Sequence, residues 1–166
     1  MLPKQTVILL SGIPATRKST FGRYLAREHG FAHYDLECHP AGWPHPELKN
    51  VWDNSRPLFV AQLRQRHDRI ALDWGFPRHC LPLVRELQAC GARLIWFDGD
   101  TDRARKAFKK RGGRDEKCFE AQVANIRDAK YPNSLECVIV PALSANGVFL
   151  DPEHIESLVF PDHPNC

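Results

Sequence analysis

A short aliphatic run that stops at glycine constrains this chain more than any other feature. Thr6-Val7-Ile8-Leu9-Leu10 is followed at once by Ser11-Gly12. A continuous apolar run bounded by a turn signal is the pattern of a strand buried on both faces. Such strands belong to parallel sheets with helices on either side. The rest of the chain keeps that rhythm. A helix is expected from Ser19 to about His29, closed by Gly30. Further strands are expected at Phe31–Asp35, Arg69–Asp73, Arg93–Phe97 and Cys137–Val140. Between them lie helical stretches at Pro46–Asn54 and Pro57–His67, each with proline suited to a first turn. Others are Cys80–Cys90 before Gly91, Asp102–Arg111 before Gly112-Gly113, and one marked by Phe119, Val123 and Ile126. A last helix opens at Asp151-Pro152. Strands alternating with helices predict an α/β fold: a three-layer α/β/α sandwich around a five-stranded parallel sheet.

Composition narrows what such a domain can be. The 166 residues imply one domain over 1–166, since domains run to about 150 residues. Hydrophobic residues at 43% can supply a core, and a net charge of +3 is too small to imply nucleic acid or membrane as a partner. No apolar stretch approaches the ~20 residues of a membrane span, and the first residues lack the pattern of an export signal. The cysteines, Cys38, Cys80, Cys90, Cys118, Cys137 and Cys166, form no C-x-x-C pair. Reduced thiols in a cytoplasmic protein are therefore expected. His33, Cys38, His39 and His45 cluster in sequence but lack the paired spacing of a zinc site.

The chemistry begins where the first strand ends. Gly12-Ile13-Pro14-Ala15-Thr16-Arg17-Lys18-Ser19-Thr20 joins a buried strand to a helix. Backbone N–H groups of a loop so placed converge on phosphate oxygens, and the helix N-terminus adds unpaired donors and a favourable dipole. Lys18 brings a cation to the outer phosphates, and Ser19 offers a hydroxyl to Mg²⁺. Ligands of open parallel sheets bind beyond the carboxyl ends of the strands. Asp35, with Glu37 nearby, and Asp73 fall there. The bland alternative for either aspartate is a turn or helix cap.

The stretch from Gly12 to Thr20 resembles the Walker A loop of small P-loop kinases, G-x-x-x-x-G-K-[ST], with Arg17 in place of the second glycine. Glycine there lets the backbone approach phosphates unobstructed; arginine either adds charge to the phosphates or crowds them. Leu72-Asp73-Trp74-Gly75-Phe76-Pro77-Arg78 resembles the L-D-G-F-P-R stretch of nucleoside monophosphate kinases, with Trp74 inserted. That resemblance implies that Asp73 holds Mg²⁺ through water and that the turn ending in Arg78 lines the acceptor site. Asp35 stands 17 residues after Lys18, a spacing similar to that of shikimate-kinase-like enzymes. By that resemblance Asp35 assists Mg²⁺ and orients or deprotonates an acceptor hydroxyl, and Glu37 contacts the acceptor.

The basic segment Arg103, Arg105, Lys106, Lys109, Lys110, Arg111 and Arg114, broken by Gly112-Gly113, looks like the lid of such kinases. Arg111 and Arg114 are the expected charge clamp, ahead of Lys110 and Arg103, over a lid of about 103–118; a solvated helix face is the alternative. An acceptor-binding insertion is expected at about 38–67, where Arg56 is suited to an anionic group on the acceptor. Trp43 and Trp52 lie there too and suit core packing better than ligand stacking. The P-loop NTPase resemblance thus implies an enzyme that uses ATP and Mg²⁺ to phosphorylate a small molecule. No N-K-x-D guanine signature appears. The alternatives are a nucleotide- or phosphate-binding protein silenced by Arg17, and a polynucleotide 5′-kinase, for which nucleic acid would bind in a salt-dependent way.

Overall fold

The opening aliphatic run is a strand, β1 (Thr6–Gly12), in which Val7, Ile8, Leu9 and Leu10 are each no more than 2% exposed. The computed structural model describes residues 6–37, 42–112 and 115–161. Beside β1 lie β2 (Ala32–Asp35), β3 (Arg69–Asp73), β4 (Ala92–Asp98) and β5 (Val138–Pro141). They form one sheet in the order β2-β3-β1-β4-β5, with every pairing parallel. The helices are α1 (Lys18–His29), α2 (Leu48–Asn54), α3 (Arg56–Arg66), α4 (Leu81–Ala89), α5 (Thr101–Arg111), α6 (Glu116–Asp128) and α7 (Pro152–Val159).

Alternation along the strands sorts the core into two layers. Val7, Leu9, Leu94 and Trp96 pack with Trp52 of α2, Phe59 and Leu63 of α3, and Val84 and Leu87 of α4. Ile8, Leu10, Ile95 and Phe97 face the other way, against Phe21 and Leu25 of α1 and Ile155 and Val159 of α7. Truncating one of these buried side chains to alanine costs about 2–5 kcal/mol. A smaller cluster of Ile13, Ala104, Phe108 and Phe119 fastens α5 and α6 to the loop after β1.

Local signals set the helix ends. Ser55, Asp100, Asp115 and Asp151 each accept a hydrogen bond from a first-turn N–H, the N-cap role that short polar side chains fill best. Gly30, at φ 67°, closes α1 in the left-handed conformation that costs glycine least. Boundaries differ from the sequence expectation by a residue or two. Helix α2 starts at Leu48 rather than Pro46, whose carbonyl accepts the Lys49 N–H in a preceding turn. A 3₁₀ turn at Arg78–Cys80 leads into α4. Cys80, Cys90, Cys118 and Cys137 are unbridged; Cys38, His39 and Cys166 lie outside the described residues. Among the described residues no helix is long and apolar enough to cross a membrane.

Candidate active site

The carboxyl edge of the sheet brings the sequence candidates together. Register places Asp35 beside Asp73 and Asp73 beside Leu10, two residues before Gly12. Gly12 has φ 132°, and a Cβ on it would strike the Phe97 backbone of β4. Only glycine lets the chain turn here, while the Ile13 N–H donates to Phe97 O at 3.0 Å. The loop then closes on itself. Thr16 Oγ1 donates to Ile13 O at 2.7 Å, and Lys18 Nζ donates to the same carbonyl at 2.9 Å. Because α1 begins at Lys18, the N–H groups of its first turn lack intrahelical partners and face the loop mouth.

Arg17 sits at φ 68°, ψ 22°, the left-handed region that its glycine counterpart would occupy without strain. Backbone geometry there is thus kept without the glycine. Its guanidinium lies 4.7 Å from the centre of the Phe149 ring.

Ser19 Oγ donates to Asp73 Oδ2, tying α1 to the end of β3. Burial acts to raise the Asp73 carboxyl, but the neighbouring His33, Lys18 and Ser19 hold it below the ordinary aspartate value. Asp73 is 4% exposed and stays an anion. Burial pulls the Lys18 ammonium below its usual value against the attraction of Asp73 and Glu37, and Arg111 adds to the lowering. Arg111 of α5 therefore acts on Lys18 across space. Glu37 turns its carboxylate onto the Gly75 N–H at 2.5 Å. Desolvation raises its pKa, opposed by Lys18 and by that hydrogen bond. The Leu36 N–H donates to Asp73 O at 2.9 Å, so the segments after β2 and β3 are stitched side by side.

The outer candidates are more dispersed. Arg56 lies 4.9 Å over the Trp52 ring, and its buried Nε has no hydrogen-bond partner. Trp52 meets Trp74 edge-on at 5.2 Å. Arg78 is exposed, and its backbone N–H donates to Asn125 Oδ1 of α6. Trp43 is core, with its indole N–H on Asp35 O at 2.8 Å. Within the basic segment, Arg105 is held by Asp102 and Glu120, and Lys109 by Glu116, which is the solvated-face outcome for those two. Arg103 donates to Gly147 O at 2.6 Å. Arg114 lies outside the described residues.

Sequence reasoning weighed His33 only as a zinc ligand and missed its place beside Asp73, where its Nε2 stands 3.9 Å from Oδ2. Its signal was the period of two: His33 and Asp35 share a face of β2. It also missed Gln122 and Asn125, which reach from α6 to a cavity of about 10 Å³ beside Gly12, Gly75 and Trp96. A groove of about 750 Å³ between α4 and the residues before β5 contains none of the candidates.

Among the described residues no three His, Cys, Asp or Glu side chains converge as a metal cage. Mg²⁺ needs none, because one or two carboxylates plus substrate phosphates commonly hold it. A hydroxyl on a carboxylate, as at Ser19–Asp73, is the hard-oxygen donor set that suits it.

Comparison with solved structures decides the fold. A gluconokinase from Sinorhizobium meliloti 1021 superposes with a TM-score of 0.56 at 17% identity, over 98% of this chain and 100% of that one. Shikimate kinase from Acinetobacter baumannii, solved with shikimate, gives 0.58 at 18% identity over 97% of each chain. This is a P-loop NTPase fold. A sugar kinase from Janibacter sp. HTCC2649 shares it at 0.56 and 16% identity, covering 96% of this chain and 94% of that one. No family model matches the sequence, and no curated protein sequence matches it. In this P-loop fold Lys18 and Ser19 stand at the loop, and Asp73 at the end of the neighbouring strand.

Proposed function

We propose that the chain is a kinase that moves the γ-phosphoryl group of ATP, with Mg²⁺, to the hydroxyl of a small molecule. The observation that carries this reading is the convergence of Lys18, Ser19 and Asp73 at the loop mouth, with Asp35 and Glu37 on the adjoining strand end. Solved structures named as gluconokinase, sugar kinase and shikimate kinase share the fold, which supports a small hydroxylated acceptor.

In this reading Lys18 exchanges the Ile13 carbonyl for phosphate oxygens, and the loop N–H groups from Ile13 to Thr20 cradle the remainder. Ser19, Asp73 and Asp35 would hold Mg²⁺, which when bound would neutralise charge on the phosphates. Asp35 accepts the proton of the acceptor hydroxyl as that oxygen bonds to phosphorus, and the bond to the ADP oxygen breaks. Glu37 fixes the Gly75 turn against the acceptor. Arg56, with an unpartnered buried Nε, suits an anionic group on the acceptor, within an insertion of about 38–67, and Arg78 flanks it. Arg111 and Arg114 close from a lid of about 103–118 and exclude water.

The test is ADP release, measured with ATP and Mg²⁺ against sugars, sugar acids and hydroxylated ring carboxylates. Acceptor-dependent ADP release is expected. Should ATP bind in calorimetry while no hydroxyl compound accelerates ADP release, the transfer reading falls and a nucleotide-binding protein remains.

A further inference from the structure

Sheet order fixes which way a nucleotide must lie. The loop after β1 is central; β3 and β2 stand on one side, β4 and β5 on the other. Asp35, Glu37 and Asp73 occupy the β3–β2 side, so the reacting end of a triphosphate points there. Its base must then project over β4 and β5. The element waiting at that end is a hairpin after β5, closed by a bridge between Leu143 and Phe149. Its turn is tight: the Gly147 N–H donates to Ser144 O at 2.8 Å, with Gly147 at φ 71°.

Two arginines from different elements grip this hairpin. Arg103, in the first turn of α5, donates to Gly147 O at 2.6 Å. Arg17, from the phosphate loop itself, lies 4.7 Å over the Phe149 ring. Arg17 is exposed while Phe149 is half-buried. The guanidinium is therefore backed by an aromatic ring and otherwise exposed. A planar delocalised cation backed by a ring in this way offers a stacking surface to a nucleobase.

We propose that Arg17, held by Phe149, is the plate on which the base of a nucleoside triphosphate stacks. The residue that departs from the loop pattern thus selects the donor instead of obstructing it. This inference rests on the nucleotide-dependent function proposed above. It adds a positioning role for Arg17 and Phe149 that the phosphate loop alone does not supply.

Two probes separate base from phosphate: ATP, and inorganic tripolyphosphate, which has no base or ribose. Each is titrated calorimetrically with Mg²⁺ into the full chain and into Phe149→Leu, Phe149→Tyr, Arg17→Lys and Arg17→Gly. Base–aromatic and base–arginine stacking of the usual strength predicts that Phe149→Leu and Arg17→Lys each weaken ATP about tenfold. Tripolyphosphate affinity stays nearly constant and reports that the loop is folded. Phe149→Tyr keeps ATP affinity. The double variant Phe149→Leu/Arg17→Lys is little worse than either single one, because the two side chains act as a unit. Equal weakening of both probes overturns the proposal, since the pair would then only shape the loop. Unchanged ATP affinity in Phe149→Leu overturns it too. So does stronger binding of both probes to Arg17→Gly, which would make Arg17 an obstruction. If the unaltered chain binds neither probe, the proposed kinase function falls together with this inference. If it binds tripolyphosphate as tightly as ATP, only the base plate is lost.

Discussion

On the β3–β2 flank of the phosphate loop, Asp35, Glu37 and Asp73 gather around Lys18. On the β4–β5 flank, Arg17 and Arg103 reach over a hairpin and hold it by stacking and by a carbonyl. The acidic flank sits on strand ends and is stitched by the Leu36 N–H on Asp73 O and by the Gly75 N–H on the Glu37 carboxylate. The cationic flank is carried on loops and on a helix start. In the proposed reaction, a hydroxyl, a metal and a migrating phosphoryl group would need fixed geometry, because small displacements cost large factors in rate. A base far from the reacting bond needs only a surface to lie on.

Lys18 stands at the phosphate loop, from which the two flanks diverge, so its loss has the largest expected effect. Lys18→Ala is expected to lower kcat about a thousandfold, the scale of removing a charge-stabilising group from a transition state. Coupled measurement of ADP release reads it. Retention of most activity would mean that the two flanks do not meet at this lysine. Next comes a variant confined to the acidic side. Asp35→Asn is expected to reduce kcat about a hundredfold, within the range for a general base, with ATP affinity in calorimetry nearly unchanged. A parallel loss of ATP affinity would place Asp35 in donor binding and erase the division of labour.

The acidic flank was far more legible in the sequence than the cationic one. Lys18, Ser19, Asp35 and Asp73 announce themselves because each follows a buried strand or opens a helix, and the period of two fixes which strand end carries them. The fold followed from the same alternation, with element ends shifted where turn geometry rather than periodicity decides, as at Pro46 and Arg78. The contact of Arg17 with Phe149 spans more than a hundred residues and depends on strand order, which hydrophobic pattern does not encode. Arg105 and Lys109 were indistinguishable in sequence from Arg103 and Arg111. The packing of α5 on α6 brings Glu120 to Arg105 and Glu116 to Lys109 as surface ion pairs.

Beneath the acidic flank, Tyr34 on β2 is fully buried, its hydroxyl 3.1 Å from His67 Nε2. Burial pushes its pKa from 10.0 up to about 12. The folded chain keeps this proton at a pH where the unfolded chain releases it. The resulting stability is full below pH 10 and is lost as pH rises from there to about 12. At about 1.4 kcal/mol per pH unit, the chain should lose about 2–3 kcal/mol over that window that Tyr34→Phe does not lose. Urea unfolding at pH 9 to 12 tests this, and identical slopes for both proteins would show that the flank rests on no buried phenol.

The smallest effect isolates the Arg17 contact on the cationic side. Arg17 and Lys130 both hold left-handed backbone, at φ 68° and φ 57°, and both are exposed. A side chain in that conformation costs about 1–2 kcal/mol relative to glycine, part of which glycine forfeits through the freedom it adds to the unfolded chain. Lys130→Gly is therefore expected to stabilise the protein by about 0.5–1 kcal/mol. Arg17→Gly relieves the same strain but also removes the guanidinium from Phe149. An exposed cation–π contact contributes about 0.5–1 kcal/mol, so Arg17→Gly should leave stability nearly unchanged. The gap between the two glycine variants in urea unfolding then measures the stacking directly. If Arg17→Gly stabilises as much as Lys130→Gly, the guanidinium contributes nothing to the fold through Phe149. The cationic flank would then be held to the hairpin by Arg103 alone.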